Sequence, residues 1–250
     1  MRKFGLIGYP LGHSFSKKFF TEKFERESIT DCIYENYPLA NIRELRMLVR
    51  KETDLSGLNV TIPYKSQVIS YLDEVSDDAS EIGAVNVLKI KRIGASIKIS
   101  GFNSDITGIK DSLFSLLRPG IKKSLVLGTG GSSKAVCNVL DKLSVEYKLV
   151  SRSPKPGCLT YSDLNGDIIQ SHQLIINTTP VGMYPDTAGR PDLNYDYIGR
   201  NHVLFDLVYN PMLTTFLRLG KERGAVVLNG LKMLYRQAEK SWEIWNDPVL

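Results

Sequence analysis

Cysteine and histidine are both scarce in this chain of 250 residues. Three cysteines, Cys32, Cys137 and Cys158, cannot pair off completely, and neither they nor His13, His172 and His202 fall at zinc-site spacings. That argues against a disulfide-stapled scaffold and against a metal centre, and it predicts a reducing, cytoplasmic setting. Long apolar runs are missing as well. Met1-Arg2-Lys3 followed by Phe4 to Ile7 has the outline of a signal peptide, but Gly8 and Pro10 break it, so no leader is expected. No segment approaches the ~18 apolar residues of a membrane helix, and no membrane partner is expected.

Neither sign of charge dominates: 32 Lys and Arg against 27 Asp and Glu leave +5. The densest basic run, Lys89, Lys91, Arg92 and Lys98, alternates with Ile90, Ile93, Ile97 and Ile99. That pattern predicts a hairpin with a wet face, turning at Gly94-Ala95. No aromatic rings are interleaved for base stacking, so no nucleic-acid partner is expected. A polyanionic small molecule suits the excess equally well.

What is present is ordinary globular composition, 42% hydrophobic and 24% charged. Short apolar runs at Phe4–Ile7, Ile33–Tyr37, Leu58–Thr61, Val85–Ile90 and Ile97–Phe102 predict strands. Helical spacing appears at Phe20 and Phe24, at Ile42, Leu45 and Val49, and at Ile106, Ile109, Leu113 and Leu116 before Pro119-Gly120. Further on, runs at Ser124–Leu127, Tyr147–Val150, Leu174–Asn177, Val203–Leu207 and Ala225–Leu228 alternate with turns and helices. This alternation predicts an α/β protein with a parallel sheet. A last helix carries Leu231, Leu234, Ala238, Trp242 and Trp245 on one stripe.

Gly128-Thr129-Gly130-Gly131-Ser132 lies between a predicted strand and a predicted helix, with Ser133 where a third glycine is usual. Glycines there allow a tight turn and bring helix amides to a pyrophosphate, although a plain strand-to-helix turn needs no more. The next strand ends in Val150-Ser151-Arg152-Ser153, with Lys155 beyond, and no acid stands between Glu146 and Asp163. An NAD site would place a carboxylate there for the ribose diol. A guanidinium with hydroxyls and an ammonium suits a 2′-phosphate, so the pairing predicts NADP(H).

The first half holds a second set of polar residues. Ser14 and Ser16 sit at the predicted start of a helix, where either carboxylate binding or plain capping would account for them. Asn59 and Thr61 share one side of a strand. Pro63 is expected to begin a short helix with Lys65 in its first turn, at the positive end of the dipole, though a surface lysine is the commoner case. Asn86 starts a strand, and Asp105, following Asn103 and Ser104, starts a helix that it could simply cap.

Taken in order, these segments resemble the shikimate dehydrogenase family over nearly the whole chain. The matching features are S-x-S at 14–16, N-V-T-x-P-x-K at 59–65, G-A-V-N at 83–86, N-S-D-x-x-G at 103–108 and G-T-G-G at 128–131. Asn177-Thr178-Thr179-Pro180-Val181-Gly182-Met183, Asn229-Gly230-Leu231 and Gln237 complete them. Two positions depart: Ser104 stands where Thr is usual, and Lys232 where Gly is common, which puts nicotinamide-side contacts in question.

The resemblance implies reversible reduction of 3-dehydroshikimate to shikimate by NADPH, a step toward aromatic amino acids. It implies an N-terminal α/β substrate domain, residues 1–104 plus 229–250, and a Rossmann-like NADP-binding domain, residues 105–228. Lys65 and Asp105 would be the catalytic pair. Ser14 and Ser16 would take the ring carboxylate, and Asn59, Thr61, Asn86, Tyr209 and Gln237 the rest of the substrate. Gly128, Gly130, Gly131, Ser132, Ser151, Arg152, Ser153, Lys155, Asn177, Thr178, Thr179, Gly230 and Met233 would border the cofactor. The implied assembly is a monomer or homodimer. A quinate/shikimate dehydrogenase of the same fold and a non-catalytic NADP-binding sensor are the rivals; retention of both Lys65 and Asp105 argues against the sensor.

Overall fold

A computed structural model describes residues 1–11, 15–117 and 120–249. The chain divides into two compact units, Met1–Ser104 with Gln237–Leu250, and Asp105–Arg236.

The first unit is built on a mixed sheet in the order β2-β1-β3-β5-β6-β4. Its strands are β1 (Arg2–Gly8), β2 (Cys32–Pro38), β3 (Leu55–Val60), β4 (Glu74–Val75), β5 (Val87–Ile93) and β6 (Ser96–Phe102). β1 runs parallel to both β2 and β3, so each connection must be a crossover. Helices α1 (Phe15–Arg26) and α2 (Leu45–Lys51) supply them, and α3 (Asp77–Ile82) precedes β5. β5 pairs antiparallel with β3 and, through the Gly94-Ala95 turn, with β6. The period of two along β1 divides its side chains between two cores. Phe4 and Leu6 join Phe20, Phe24 and Trp245, whereas Ile7 joins Val49, Leu58 and Ile99. Phe20 stacks on Tyr34 at 4.7 Å and Phe4 on Trp245 at 4.7 Å. A side chain at Gly57 would collide with the Trp245 indole, which donates to the Leu88 carbonyl at 3.0 Å.

The basic hairpin is not wet throughout, contrary to its sequence pattern. Lys89 is 5% exposed, and its Nζ donates to the carbonyls of Ile244 (2.8 Å) and Asp247 at the end of the final helix. Arg92 donates to the carbonyls of Leu55 (2.6 Å), Val49 (2.7 Å) and Glu52 (2.8 Å), closing the end of α2. Both cations satisfy orphan carbonyls at helix C-termini, where the dipole favours positive charge.

The second unit holds a fully parallel sheet in the order β12-β11-β10-β7-β8-β9. Its elements are α4 (Asp105–Phe114), β7 (Lys123–Leu127), α5 (Gly131–Lys142), β8 (Glu146–Ser151) and β9 (Cys158–Thr160). They continue as α6 (Gly166–Ser171), β10 (Leu174–Asn177), β11 (Val203–Asp206), α7 (Thr215–Glu222), β12 (Val226–Leu228) and α8 (Leu231–Asn246). From β7 the order runs outward through β8 and β9, then returns to the other side of β7 with β10. The direction of winding therefore reverses between β7 and β10, and ligands of such sheets bind outside the strand ends at this switch point. Residues of α8 up to Arg236 count with this unit, and those from Gln237 with the first. Among the described residues no helix is long and apolar enough to cross a membrane.

Candidate active site

In the first unit the polar residues gather where β3 ends and β5 begins. Asn59 lies on β3, and Thr61 follows it, its amide donating to the Ile7 carbonyl at 2.9 Å. Lys65 is not in the first turn of a helix, the place that Pro63 predicts for it. Residues 61–66 form turns, and only Gln67–Tyr71 coil into a 3-10 helix. The reason lies in where the backbone groups are spent. Tyr64 closes a turn onto Thr61 (2.9 Å) and anchors its hydroxyl on the Leu39 carbonyl (2.6 Å), while the Lys65 carbonyl accepts from Val85 at 2.7 Å. That last bond holds Lys65 beside the 83–86 segment instead of at the positive end of a helix dipole, the place expected for it. The side chain of Lys65 is half-buried.

Gly83 ends α3 in the left-handed region (φ 65), which a side chain would resist, and sets the direction of Ala84-Val85-Asn86. Asn86 is then joined to the 103–104 segment by side chains. Its Oδ1 accepts from the Ser104 amide at 2.7 Å and its Nδ2 donates to Ser104 Oγ at 3.1 Å, while Asn103 Nδ2 donates to the Ala84 carbonyl at 2.9 Å. Ser104 is fully buried, and its hydroxyl lies 3.3 Å from that of Ser241. Ser16 is half-buried on α1 and bonds to the Tyr34 phenol. Ser14 lies outside the described residues. Gln237 contributes its carbonyl to the same cluster, accepting from Ser241 at 2.9 Å.

In the second unit Asp105 begins α4 and is 2% exposed. Three segments meet at the switch point. The glycine turn follows β7 with Gly128 at φ 111, where a Cβ would come within 2.7 Å of Thr178 Oγ1. Gly130 caps α5 without a side chain and has open space beside it, so the amides of the first turn face no capping group. The Gly128 amide donates to the Val150 carbonyl at 2.8 Å, joining the turn to the end of β8. Ser151 is buried there, Arg152 and Ser153 are exposed, and Lys155 reaches back to donate to Thr129 Oγ1 at 2.9 Å. Open backbone at a helix N-terminus, with two cations beside it, fits a phosphorylated dinucleotide.

The third segment, after β10, is turned inward. Asn177 is fully buried, with Oδ1 accepting from Thr179 N (3.1 Å) and Oγ1 (2.6 Å). Thr178 Oγ1 donates to the Leu127 carbonyl at 2.7 Å. These three side chains hold the loop in shape, leaving its backbone as the surface. The anchor beneath them, which sequence patterns do not reveal, is Asp206. Its carboxylate is fully buried and accepts from Asn177 Nδ2 (3.0 Å), the Val208 amide (3.0 Å) and Thr214 Oγ1 (2.6 Å). Burial pushes its pKa up to about 6, the three donors only partly opposing this. Tyr209 follows on the same loop, half-buried, and its phenol pKa is raised by that burial.

Gly230 tolerates no side chain because a Cβ would strike the Leu207 carbonyl. Gly108 of the 103–108 motif packs equally closely, its Cβ position 2.5 Å from the Met233 carbonyl, and Met233 is buried against it. Lys232 runs along α4, donating to the Asp111 carbonyl at 3.3 Å beside the Arg236–Asp111 ion pair at 2.6 Å. His172 and His202 are buried and bonded to backbone groups, and the three cysteines form no disulfide.

Residues 6–88 match the family model described as the shikimate dehydrogenase substrate binding domain. Over 262 residues the chain is 37% identical to a shikimate dehydrogenase (NADP(+)) of Methanococcus maripaludis, covering 96% of this chain and 90% of that one. A shikimate dehydrogenase (NADP(+)) of Clostridium beijerinckii is 37% identical, with 99% and 93% covered. The crystal structure of shikimate 5-dehydrogenase from Thermus thermophilus in complex with NADP(H) and shikimate superposes with a TM-score of 0.85 at 28% identity, covering 98% and 94%. Motifs, two-unit architecture and full-length likeness agree: the chain belongs to the shikimate dehydrogenase family.

Proposed function

We propose that this chain catalyses the reversible, NADPH-dependent reduction of 3-dehydroshikimate to shikimate, as a cytoplasmic monomer or homodimer. The observation that carries the reading is the polar cluster of the first unit. Three separate sequence segments there, carrying Asn59 with Lys65, Asn86, and Gln237, are tied together by hydrogen bonds, and their polar side chains suit a polyhydroxylated acid. Residues 1–104 with 229–250 bind substrate on this reading, and residues 105–228 bind NADP(H).

Ser14 and Ser16 hold the substrate carboxylate by their hydroxyls. Asn59, Thr61, Asn86 and Gln237 read the ring hydroxyls, Tyr209 lies near the substrate, and polar groups withdrawn from water in this way reject analogues that lack a partner. Lys65 delivers charge and a proton to the carbonyl oxygen as it becomes a hydroxyl, and Asp105 accepts a hydrogen bond from the substrate. NADPH, when bound, supplies the hydride. Gly128, Gly130, Gly131 and Ser132 offer backbone and hydroxyl groups to its pyrophosphate. Ser151, Arg152, Ser153 and Lys155 take the 2′-phosphate, with Asn177, Thr178, Thr179, Gly230 and Met233 shaping the nicotinamide side.

The test is the near-ultraviolet absorbance of NADPH formed by the purified chain from NADP+ with shikimate or quinate, repeated with NAD+. Rapid formation with shikimate and NADP+ alone supports the reading. Preference for quinate or for NAD+ would reassign the pocket, and binding of NADPH without turnover would favour a sensor.

A further inference from the structure

We propose that Ser241, on α8 one turn beyond Gln237, fixes the Asn59 amide so that it meets the substrate as a hydrogen-bond acceptor, making Ser241 a specificity-determining positioning residue. This rests on the reading that Asn59 contacts substrate.

The assignment follows from counting hydrogens. A serine hydroxyl has one to give. Ser241, 1% exposed, donates its hydrogen to the Gln237 carbonyl at 2.9 Å, the i−4 group of its own helix. Towards Asn59, 2.9 Å away, Ser241 Oγ can therefore only accept, so the amide nitrogen must lie on that side. The carbonyl end then faces Tyr34, whose phenol donates to Asn59 Oδ1 at 2.8 Å. Reversing the amide would set two acceptors against each other at Ser241.

The remaining capacity of Asn59 is small. Its second N–H points to the Asn86 carbonyl at 3.4 Å, and Tyr34 occupies one of the two lone pairs on Oδ1. One lone pair is left, on a residue that is half-buried and open to a ligand. The group it recognises must donate, as a hydroxyl does and a keto oxygen does not. Ser104 extends the chain. Because the Ser241 hydrogen is already spent, Ser104 is the donor in their 3.3 Å contact, dividing its one hydrogen between Ser241 and Asn86 Oδ1, also at 3.3 Å, while its own oxygen accepts from Asn86 Nδ2 at 3.1 Å. The Ser241 hydroxyl thus orders the Asn59 amide, while that of Asn86 is fixed separately by the Ser104 amide, which donates to its Oδ1 at 2.7 Å.

Ser241→Ala and Tyr34→Phe loosen the Asn59 amide from opposite sides, with Asn59→Ala as reference. Because Tyr34→Phe also frees Ser16, its effect is read again in the Asn59→Ala background, where only the part acting through Asn59 disappears. Tyr34→Phe removes one oxygen and keeps the ring stacked on Phe20, so it folds even where Ser241→Ala does not. Each should raise the KM for shikimate about five- to tenfold, the worth of one hydrogen bond, with the KM for NADP+ unchanged. Each should also lessen discrimination against shikimate analogues lacking one ring hydroxyl. Unchanged KM and discrimination in both, with a raised KM in Asn59→Ala, would overturn the role of Ser241 while leaving the site intact. An unchanged KM in Asn59→Ala itself would remove Asn59 from the substrate site and the inference with it.

Discussion

Each unit holds a buried polar knot, and the two are built on opposite principles. In the first, every member is neutral: Tyr34, Asn59, Asn86, Ser104 and Ser241 pass hydrogens from one to the next. In the second, a single charge collects three donors, since Asp206 accepts from Asn177, Val208 and Thr214. A neutral chain of this kind fixes which atom donates and which accepts, and does so independently of pH. A buried carboxylate makes stronger bonds but needs no particular hydrogen order, and it brings a titration with it. Recognition of hydroxyls, the role proposed for the first unit, calls for the first property. Holding together two loops, after β10 and β11, calls for the second.

The sharpest way to test the proposed division of labour is to remove chemistry from the first unit and leave cofactor binding in the second. Lys65→Ala should lower turnover by roughly 10²–10⁴-fold, the range for a lost proton donor, with NADPH affinity unchanged by fluorescence titration. Near-normal turnover would take Lys65 out of the mechanism, and a matching loss of NADPH affinity would mean that it serves the cofactor instead.

Asp206→Asn breaks the comparison from the other side by making the second knot neutral. The introduced carboxamide can keep all three bonds: its oxygen accepts from Asn177 and Val208, and its nitrogen donates to Thr214, whose hydroxyl turns round. The wild-type carboxyl has a folded pKa of about 6 against an ordinary 3.8, so the folded state binds the proton more tightly. Its contribution to stability is therefore complete below pH 4 and is lost as pH rises to 6. Relative to the variant, wild type should lose on the order of 3 kcal/mol across that window and nothing above it. Denaturant unfolding of both proteins between pH 4 and pH 8 measures the difference. Carboxylates such as Glu27 and Asp73, which Lys23 and Arg46 hold below their ordinary values, slope the opposite way and cancel in the comparison. A pH-independent gap would mean that Asp206 is not displaced.

Arg152→Ala should weaken NADPH about tenfold or more and NADH far less, because a charge-assisted bond to the 2′-phosphate has no counterpart in NADH. Equal weakening of both would refute the phosphate role and leave Lys155, already reaching Thr129, as the remaining cation.

What is legible in the sequence follows from local chemistry. The parallel sheet of the second unit shows as apolar runs between helices, and the glycine turn as glycines at a strand end. β4 and β9, with two and three residues, are too short to display any period. Lys65 misleads because proline at a first helical position is a strong local signal, overridden here by the bond from Val85. Lys89 and Arg92 mislead because the carbonyls they cap lie up to 158 and 43 positions away in the chain. Asp206 carries no signal at all. It ends an apolar run, and its partners Asn177 and Thr214 meet it only after β10 and β11 have paired.

The smallest effect is expected where the chain departs from its family. Lys232 stands where the family resemblance leads one to expect glycine, and on the proposed reading it would intrude on the nicotinamide. Its Nζ instead lies along α4 at the Asp111 carbonyl, exposed, beside an ion pair that Arg236 already supplies. Lys232→Gly therefore removes one weak surface bond and places glycine near the start of α8. Stability should fall by about 1 kcal/mol, the ordinary helix penalty for glycine, with KM for NADP+ and turnover unmoved. A change in cofactor KM would show that the ammonium leaves Asp111 during catalysis. An unchanged one would mean that a lysine fits this position because α4 draws its side chain away.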